Sequence, residues 1–329
     1  MPSSNFIERH YARHASHFDS DLVESERVRI STSWFDESTA DFWRHARAYE
    51  CAGLLAHRAN ASWLTVGDGR WGLDSIRIRS KGFSSVVASD ISEALLRAAK
   101  ERGLIDTYAI ENAERLSFAD DSFDFVFCKE SLHHFPRPFA ALYEMLRVAR
   151  EAVFIIEPND TVEIVAPANE SPRYVRTGRV RRALLALLGR DHVTIPATAA
   201  GPARPTLRFN KPDWESSGNF AYAVSRRELE KVALGLNLPQ LVIKGLNDHY
   251  IKGCEFEPAD ESKSAIFREL RRVIGDKDRH CAQGLSEFNL IMAGFFCRPI
   301  DAAARAKFLA AGWEVMDLPA NPYVPRDSA

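Results

Sequence analysis

Neither a disulfide framework nor a zinc cluster can be assembled from the cysteines of this chain. Cys51, Cys128, Cys254, Cys281 and Cys297 are odd in number, widely spaced and never arranged as CxxC, which points to a reducing compartment, the cytoplasm. Long hydrophobic runs are lacking too. The longest, Ala152 to Ile156 and Ala183 to Leu188, fall far short of the roughly 20 apolar residues that cross a bilayer, so no membrane span is expected. Met1 to Glu8 carry no basic-then-apolar pattern of a secretory leader. Charge of one sign does not dominate either: the formal net charge is −2, which carries no partner signal. Repeats and low-complexity blocks are also missing, so the chain is read by periodicity and punctuation.

What is present is ordinary globular composition, with 46% hydrophobic and 27% charged residues over 329 positions, enough to bury a large core. Residues 1–60 read as a helical cap, with one helix over Asp41 to His57. Short apolar runs then alternate with helix-length segments. Ser62 to Val66, Ser85 to Ser89, Thr107 to Ile110, Phe123 to Cys128 and Ala152 to Glu157 read as strands, and Pro136 and Pro138 open a helical stretch before the last of them. Such alternation argues a mostly parallel sheet. The pattern stops at Pro158, giving a core over 61–158 and an insertion, Asn159 to Phe220, expected to form a lid. Ser225 and Glu228 then match a capping box, and the core resumes over 221–300 with Leu241 to Lys244 and Phe288 to Cys297 as strands. Periodicity gives the extension 301–329 no place.

After the first strand the chain runs Val66, Gly67, Asp68, Gly69, Arg70, Trp71, Gly72, with glycines at the GxGxxG spacing, and Asp90 ends the second strand 18 residues past Gly72. Glycines let backbone approach a ligand at a helix amino terminus, and a carboxylate at the next strand tip can accept both hydrogen bonds of a ribose diol. The same spacing marks dinucleotide sites, so nicotinamide cofactors and S-adenosylmethionine both suit it. Asp68 separates the two. A carboxylate inside the turn lies near where a dinucleotide brings its pyrophosphate, whereas S-adenosylmethionine brings an ammonium and a sulfonium that Asp68 can face. A purely local role for Asp68, capping the next helix, stands beside that reading.

Four ordered motifs over residues 63–157 resemble the class I S-adenosylmethionine-dependent methyltransferases. WLTVGDGRWG resembles the first motif, DIS at Asp90 to Ser92 the second, and ENAERLSFADDSFDFVFCKESLHHF the third and fourth. The resemblance implies S-adenosylmethionine held by Gly67, Asp68, Gly69, Gly72, Asp90 and Ile91, with Asn112 and Ala113 against the adenine and Cys128 and Lys129 beside the methionine portion. EPN at Glu157 to Asn159 resembles the end of the fifth strand, and Phe288 to Cys297 suits the family's antiparallel seventh. The implied fold is therefore α/β, a Rossmann-like doubly wound seven-stranded sheet, mostly parallel with an antiparallel last strand. Two positions depart from the pattern. Thr65 stands where an acid is common, which makes ammonium binding depend more on Asp68, and Asn112 stands where an Asp often meets the adenine amine, although its carbonyl can still accept.

Methyl transfer from a sulfonium is an in-line displacement that gains most from alignment, and a base is needed only if the acceptor must lose a proton. Glu130, His133 and His134 lie just past the fourth strand tip, the ligand edge of an open α/β sheet, and are the candidate catalytic residues, although LHHF segments also serve as pocket wall. Asn247, Asp248, His249 and Tyr250 follow the sixth strand. They read as a solvated turn in preference to a base or, with Glu130, a divalent metal site. His10, His14 and His17 recur on one helical face without a carboxylate or thiol to complete a zinc site, so an exposed or partner-facing stripe is expected and no metal.

In the insertion, Arg173, Arg176, Arg179, Arg181, Arg182, Arg190, Arg204, Arg208 and Lys211 form a basic surplus, which suits an anionic acceptor or equally a solvated surface. Few aromatics interleave with them, so no nucleic acid is expected. The whole-chain layout, including the WRHARAYE helix and the NPY tail, resembles methyltransferases of bacterial surface-polysaccharide clusters. That implies O-methylation of a sugar or glycan precursor. N- or C-methylation of another small metabolite, a nicotinamide-linked oxidoreductase and a catalytically silent cofactor-binding subunit stay open, as does oligomerisation.

Overall fold

In the computed structural model the apolar runs become the centre of one sheet. β1 (Ser62–Val66), β2 (Ser85–Asp90), β3 (Tyr108–Ile110), β4 (Phe123–Lys129) and β5 (Ala149–Pro158) pair in parallel, in the order β5-β4-β1-β2-β3. The structure describes residues 4–19, 29–30, 33–165, 206–209 and 220–326. Leu64, Val126, Phe127, Val153 and Phe154 are buried on both faces of the sheet, as continuous Val/Leu/Phe runs predict for strands covered on two sides. Each contributes about 1.5–3 kcal/mol by leaving water. One covering layer contains the helices Pro138–Val148 and Arg226–Gly235, the latter opened by the expected capping box of Ser225 and Glu228. The other contains residues of 48–55 and the helix Ala302–Ala310.

The sheet has eight strands, not seven. β8 (Gln240–Leu246) and β9 (Leu290–Phe296) extend it beyond β5, with β9 antiparallel to both β5 and β8, and β10 (Glu314–Asp317) adds an eighth strand antiparallel to β8. The extra strand comes from the C-terminal extension that periodicity could not place. It is four residues long, half-exposed and paired on one side, so it carries no long apolar run. Its position is set by neighbours instead: Trp313 packs on Phe308, and Arg226 binds Glu314 through two hydrogen bonds of 2.7 Å.

The expected helix Asp41 to His57 is broken into Ala40–Ala46, a 3-10 turn Arg47–Tyr49, Glu50–Leu54 and a second 3-10 turn. The break turns Tyr49 inward, where it is 1% exposed and stacks on Phe127 at 5.4 Å between ring centroids. In the insertion, β6 (Val162–Val165) and β7 (Thr206–Phe209) form a separate antiparallel pair that contains Arg208. Arg173, Arg176, Arg179, Arg181, Arg182, Arg190, Arg204 and Lys211 lie outside the described residues. No helix among the described residues is long and apolar enough to cross a membrane.

Candidate functional site

The tips of β1 to β4 open into a cavity of about 440 Å³ at the carboxyl edge of the sheet. The glycine loop forms its floor. Gly67 sits at φ +77°, and a Cβ there would stand 2.4 Å from Ser131 Cβ; a Cβ on Gly69 would stand 2.6 Å from Asp90 Cγ. Backbone therefore reaches the cavity where a side chain cannot be accommodated. Ser131 Oγ donates to Gly67 O at 2.9 Å, and the Ser92 amide donates to Asp90 Oδ1 at 2.8 Å, so loop, Ser131 and Asp90 form one packed unit.

Of the residues singled out in the sequence, Gly67, Asp68, Gly69, Asp90, Ile91, Asn112, Ala113, Lys129, Glu130, His133 and His134 line this cavity together. Gly72 and Cys128 do not line it. Gly72 precedes the helix Leu73–Arg79 in a left-handed conformation, with Ile105 against it. Cys128 is fully buried in the core, and burial pushes its thiol well up.

Asp68 is a helix cap before it is anything else. Its carboxylate accepts from the Asp74 and Ser75 amides, each at 2.9 Å, and from Thr65 Oγ1 at 2.8 Å, which matches the local role left open by the sequence. Thr65, in the position where an acid is common, is itself committed to that carboxylate. Asp74 was missed by sequence reasoning, yet it lines the cavity and receives a short hydrogen bond from the Tyr49 hydroxyl. Burial pushes both carboxylates toward the protonated form, and for Asp68 the neighbouring Asp74 adds to the push. Two buried acids in this condition favour any positive group that enters beside them. A polar residue opening the helix after a glycine loop is the signal that would have found Asp74.

Past β4, Glu130 adopts a left-handed φ of +47° and pairs with Lys129. The ammonium of Lys129 holds the Glu130 carboxyl down at about 2, so it is ionised at neutral pH and too weak a base to take a proton there. His133 has a different environment. Its Nδ1 lies 2.6 Å from Oε2 of Glu157, a 0% exposed residue that also accepts from the Ser131 and Leu132 amides at 3.0 and 2.9 Å. With three N–H groups converging on one carboxylate, the network assigns the proton to Nδ1 and makes Nε2 the lone-pair nitrogen. Glu157 sat in the EPN motif, but only the fold brings it beneath the histidine turn. The His134 ring lies tilted against that of His133, with ring centroids 4.0 Å apart. Asn112 turns its carbonyl to the Glu114 amide at 2.9 Å, so one lone pair is used locally.

The opposite wall comes from the amino-terminal region. The helix Ser4–Asp19 brings His10, Tyr11 and His14 to the cavity, with His14 and His134 ring centroids 5.7 Å apart. The expected exposed stripe is thus partly inward-facing, because His10 is 9% exposed. Trp34, Arg44, His45 and Tyr49 also line the wall. Arg44 reaches Asp248, and Arg47 Nη2 donates to Asn247 O at 2.9 Å. Asn247 is buried, so this segment is a clamp on the amino-terminal helices rather than a solvated turn. Among the described residues no group of three or more His, Cys, Asp or Glu is placed to hold a metal ion.

Residues 64–156 match the family model described as Methyltransferase domain. The chain is similar to 27-O-demethylrifamycin SV methyltransferase of Amycolatopsis mediterranei, 25% identical over 216 residues that cover 60% of this chain and 76% of that protein. Among solved structures it is similar to the YcgJ protein of Bacillus subtilis, at 18% identity over 77% of this chain and 100% of that one with a TM-score of 0.42. It is also similar to an S-adenosylmethionine-dependent methyltransferase of Thermotoga maritima, at 15% identity over 85% of this chain and 98% of that one with a TM-score of 0.40. The chain is an S-adenosylmethionine-dependent methyltransferase, with S-adenosylmethionine as its methyl donor.

Proposed function

We propose that the protein methylates a hydroxyl of a small-molecule acceptor, with the donor lying across the tips of β1 to β4 and His133, oriented by Glu157, taking the hydroxyl proton. The observation that carries this reading is the 2.6 Å contact between His133 Nδ1 and Glu157 at the cavity wall. A base of this kind serves an acceptor that must lose a proton.

The cavity suits the donor on three counts. Gly67 and Gly69 bring bare backbone to it, and Asp90 offers a carboxylate at the ribose position. Asp68 and Asp74, both pushed toward protonation, gain from an ammonium and a sulfonium, while the pyrophosphate of a nicotinamide cofactor would add negative charge to the same place. Asn112 and Ala113 then border the adenine, and Lys129 lies toward the methionine portion.

When bound, the donor supplies a methyl group activated on a sulfonium sulfur. Everything else falls to this chain. The floor aligns the two reactants, and His133 Nε2 accepts the hydroxyl proton while the buried Glu157 carboxylate stabilises the charge that develops on the ring. Glu130 stays ionised beside Lys129 and does not compete as the base. His134 and the amino-terminal helices shield the cavity from water.

A sugar or glycan precursor presents this hydroxyl chemistry, and the relative from Amycolatopsis mediterranei is named for a methylated oxygen. The insertion, most of which lies outside the described residues, carries a surplus of arginines that favours an anionic acceptor. Transfer of labelled methyl to hydroxylated sugars and macrocycles, compared with amines, tests the acceptor class. His133→Ala should lower kcat about 100- to 10,000-fold with S-adenosylhomocysteine affinity unchanged. Asp90→Ala should weaken S-adenosylhomocysteine by about 1–3 kcal/mol. Equal transfer to amines by the His133→Ala protein would remove the base, and NAD binding in place of S-adenosylhomocysteine would remove the site.

A further inference from the structure

We infer that Lys129 and Asp74 form a clamp for the amino-acid head of the donor, Lys129 taking its α-carboxylate and Asp74 its α-ammonium. The inference rests on the donor position proposed above and gives the head group to two side chains that lie outside the glycine loop.

The cavity is unbalanced in charge. Asp68, Asp74, Asp90, Glu111 and Glu130 line it, a surplus that draws in an ammonium and a sulfonium and repels a carboxylate. The donor's carboxylate therefore needs a cation. Of the arginines and lysines lining the cavity, Arg44 is committed to Asp41 and Asp248, and Arg70 lies over the Trp34 ring, 5.3 Å from its centroid. Lys129 remains, at the tip of β4 where the methionine portion is placed. Its side chain is 10% exposed. Among the described residues its ammonium makes one hydrogen bond, to Glu130, whereas an ammonium carries three N–H donors. Lys129 can keep Glu130 and still hold a carboxylate.

Asp74 supplies the other half. Asp68, the acid inside the glycine loop, is spent on the Asp74 and Ser75 amides and on Thr65 Oγ1. Asp74 is not spent: the Tyr49 hydroxyl binds its Oδ1, and its Oδ2 makes no hydrogen bond among the described residues although the residue is 8% exposed. Buried polar atoms are nearly always satisfied, so an open carboxylate oxygen at a cavity marks a place for a donor of hydrogen bonds.

The two side chains act on each other. Burial pushes the Asp74 carboxyl up and the Lys129 charge opposes that push; burial also works against the Lys129 ammonium, and Glu130 and then Asp74 hold it charged. One stands in the first turn after the β1 loop, the other at the tip of β4, the strand paired with β1. An acid and a cation so placed are the complement of a zwitterion, because each opposes one of its charges. Fragments of the donor that lack the head group gain nothing from either.

Calorimetric titration of the full chain tests the clamp with S-adenosylmethionine, with its decarboxylated form, and with methylthioadenosine, which lacks both head-group charges. The wild-type protein should bind S-adenosylmethionine about 10- to 100-fold more tightly than the decarboxylated form; equal affinity overturns the clamp without any variant. Lys129→Met should abolish that preference, weakening S-adenosylmethionine while the decarboxylated form binds as well as before or better. Asp74→Asn should weaken both and leave methylthioadenosine unchanged. A Lys129→Met protein that keeps the preference overturns the assignment of Lys129, and one that loses affinity equally for all three ligands shows a lysine that only shapes the pocket, which overturns it too. Asp90→Ala separates the clamp from the donor position. If it weakens methylthioadenosine while the clamp fails, the donor position stands; if it binds all three ligands as wild type does, the donor position falls and the clamp with it.

Discussion

On the sheet side of the cavity, side chains are held by several hydrogen bonds from residues nearby in the fold. Asp68 accepts two helix amides and a threonine hydroxyl, and Glu157 accepts two amides and an imidazole. On the helical side the supports are few and distant. Arg44 reaches Asp248, 204 residues away, and His10 leaves its Nδ1 without a hydrogen-bond partner among the described residues. A floor built in the first way is preorganised before any ligand arrives, whereas a wall built in the second way can move and is completed by what binds. Damage to the two should therefore look different.

The largest effect is expected in the floor. Glu157→Gln keeps the shape but removes the charge that fixes the His133 tautomer, and kcat should fall about 100- to 10,000-fold with S-adenosylhomocysteine affinity within about twofold, read by steady-state kinetics beside calorimetry. A fall in affinity equal to the fall in kcat would mean that Glu157 supports the fold rather than the base. Next comes Gly67→Ala. With φ at +77° and Ser131 Cβ 2.4 Å from the new methyl, a loss of about 2–4 kcal/mol is expected in denaturant unfolding, and a protein as stable as wild type would contradict the packed loop.

Smaller effects belong to the helical side. Arg44→Ala leaves Asp41 and Asp248 without their shared partner and should cost about 1–3 kcal/mol. Hydrogen exchange should rise over residues 40–58 and not over β1 to β4; a uniform rise would erase the contrast between the two walls. The smallest effect is a pH dependence. Lys129 lowers the Glu130 carboxyl from 4.5 to about 2, so the stability this pair contributes is present above pH 4.5 and is lost as pH falls toward 2. Glu130 is partly exposed, so the loss should stay below about 1 kcal/mol. Glu130→Gln should flatten stability in that window and leave the activity profile above pH 5 unchanged in shape.

Parts of this architecture were legible in the residues alone. β1, β2, β4 and β5 announce themselves as short, mostly apolar runs, because strands covered on both faces show little polar side. Gly67 and Gly69 were legible because close backbone approach restricts the residue type at fixed spacing, and Asp90 because it closes the second apolar run at the edge where the cavity opens. β10 was not, since a short, half-exposed edge strand has no periodic signal of its own and is fixed by Trp313, Glu314 and their partners. Two polar positions near the loop fared differently. Asp68 was read both as facing a ligand and as capping the next helix, and the fold makes it a cap that also lines the cavity, while Asp74, two residues past the loop, stands on the cavity wall unread.

The sequence by itself determined the α/β alternation, the ligand edge, the glycine loop and a methyltransferase reading, because each depends on short-range periodicity or on residue types that local backbone geometry demands. The tertiary structure alone decided which polar side chains meet: Glu157 under His133, Tyr49 on Asp74, Arg44 on Asp248, and His10 and Tyr11 on the wall of the cavity. Those pairings join residues up to 204 positions apart. A side chain's role at such a distance depends on the desolvated partner it finds, and only the packed chain supplies that partner.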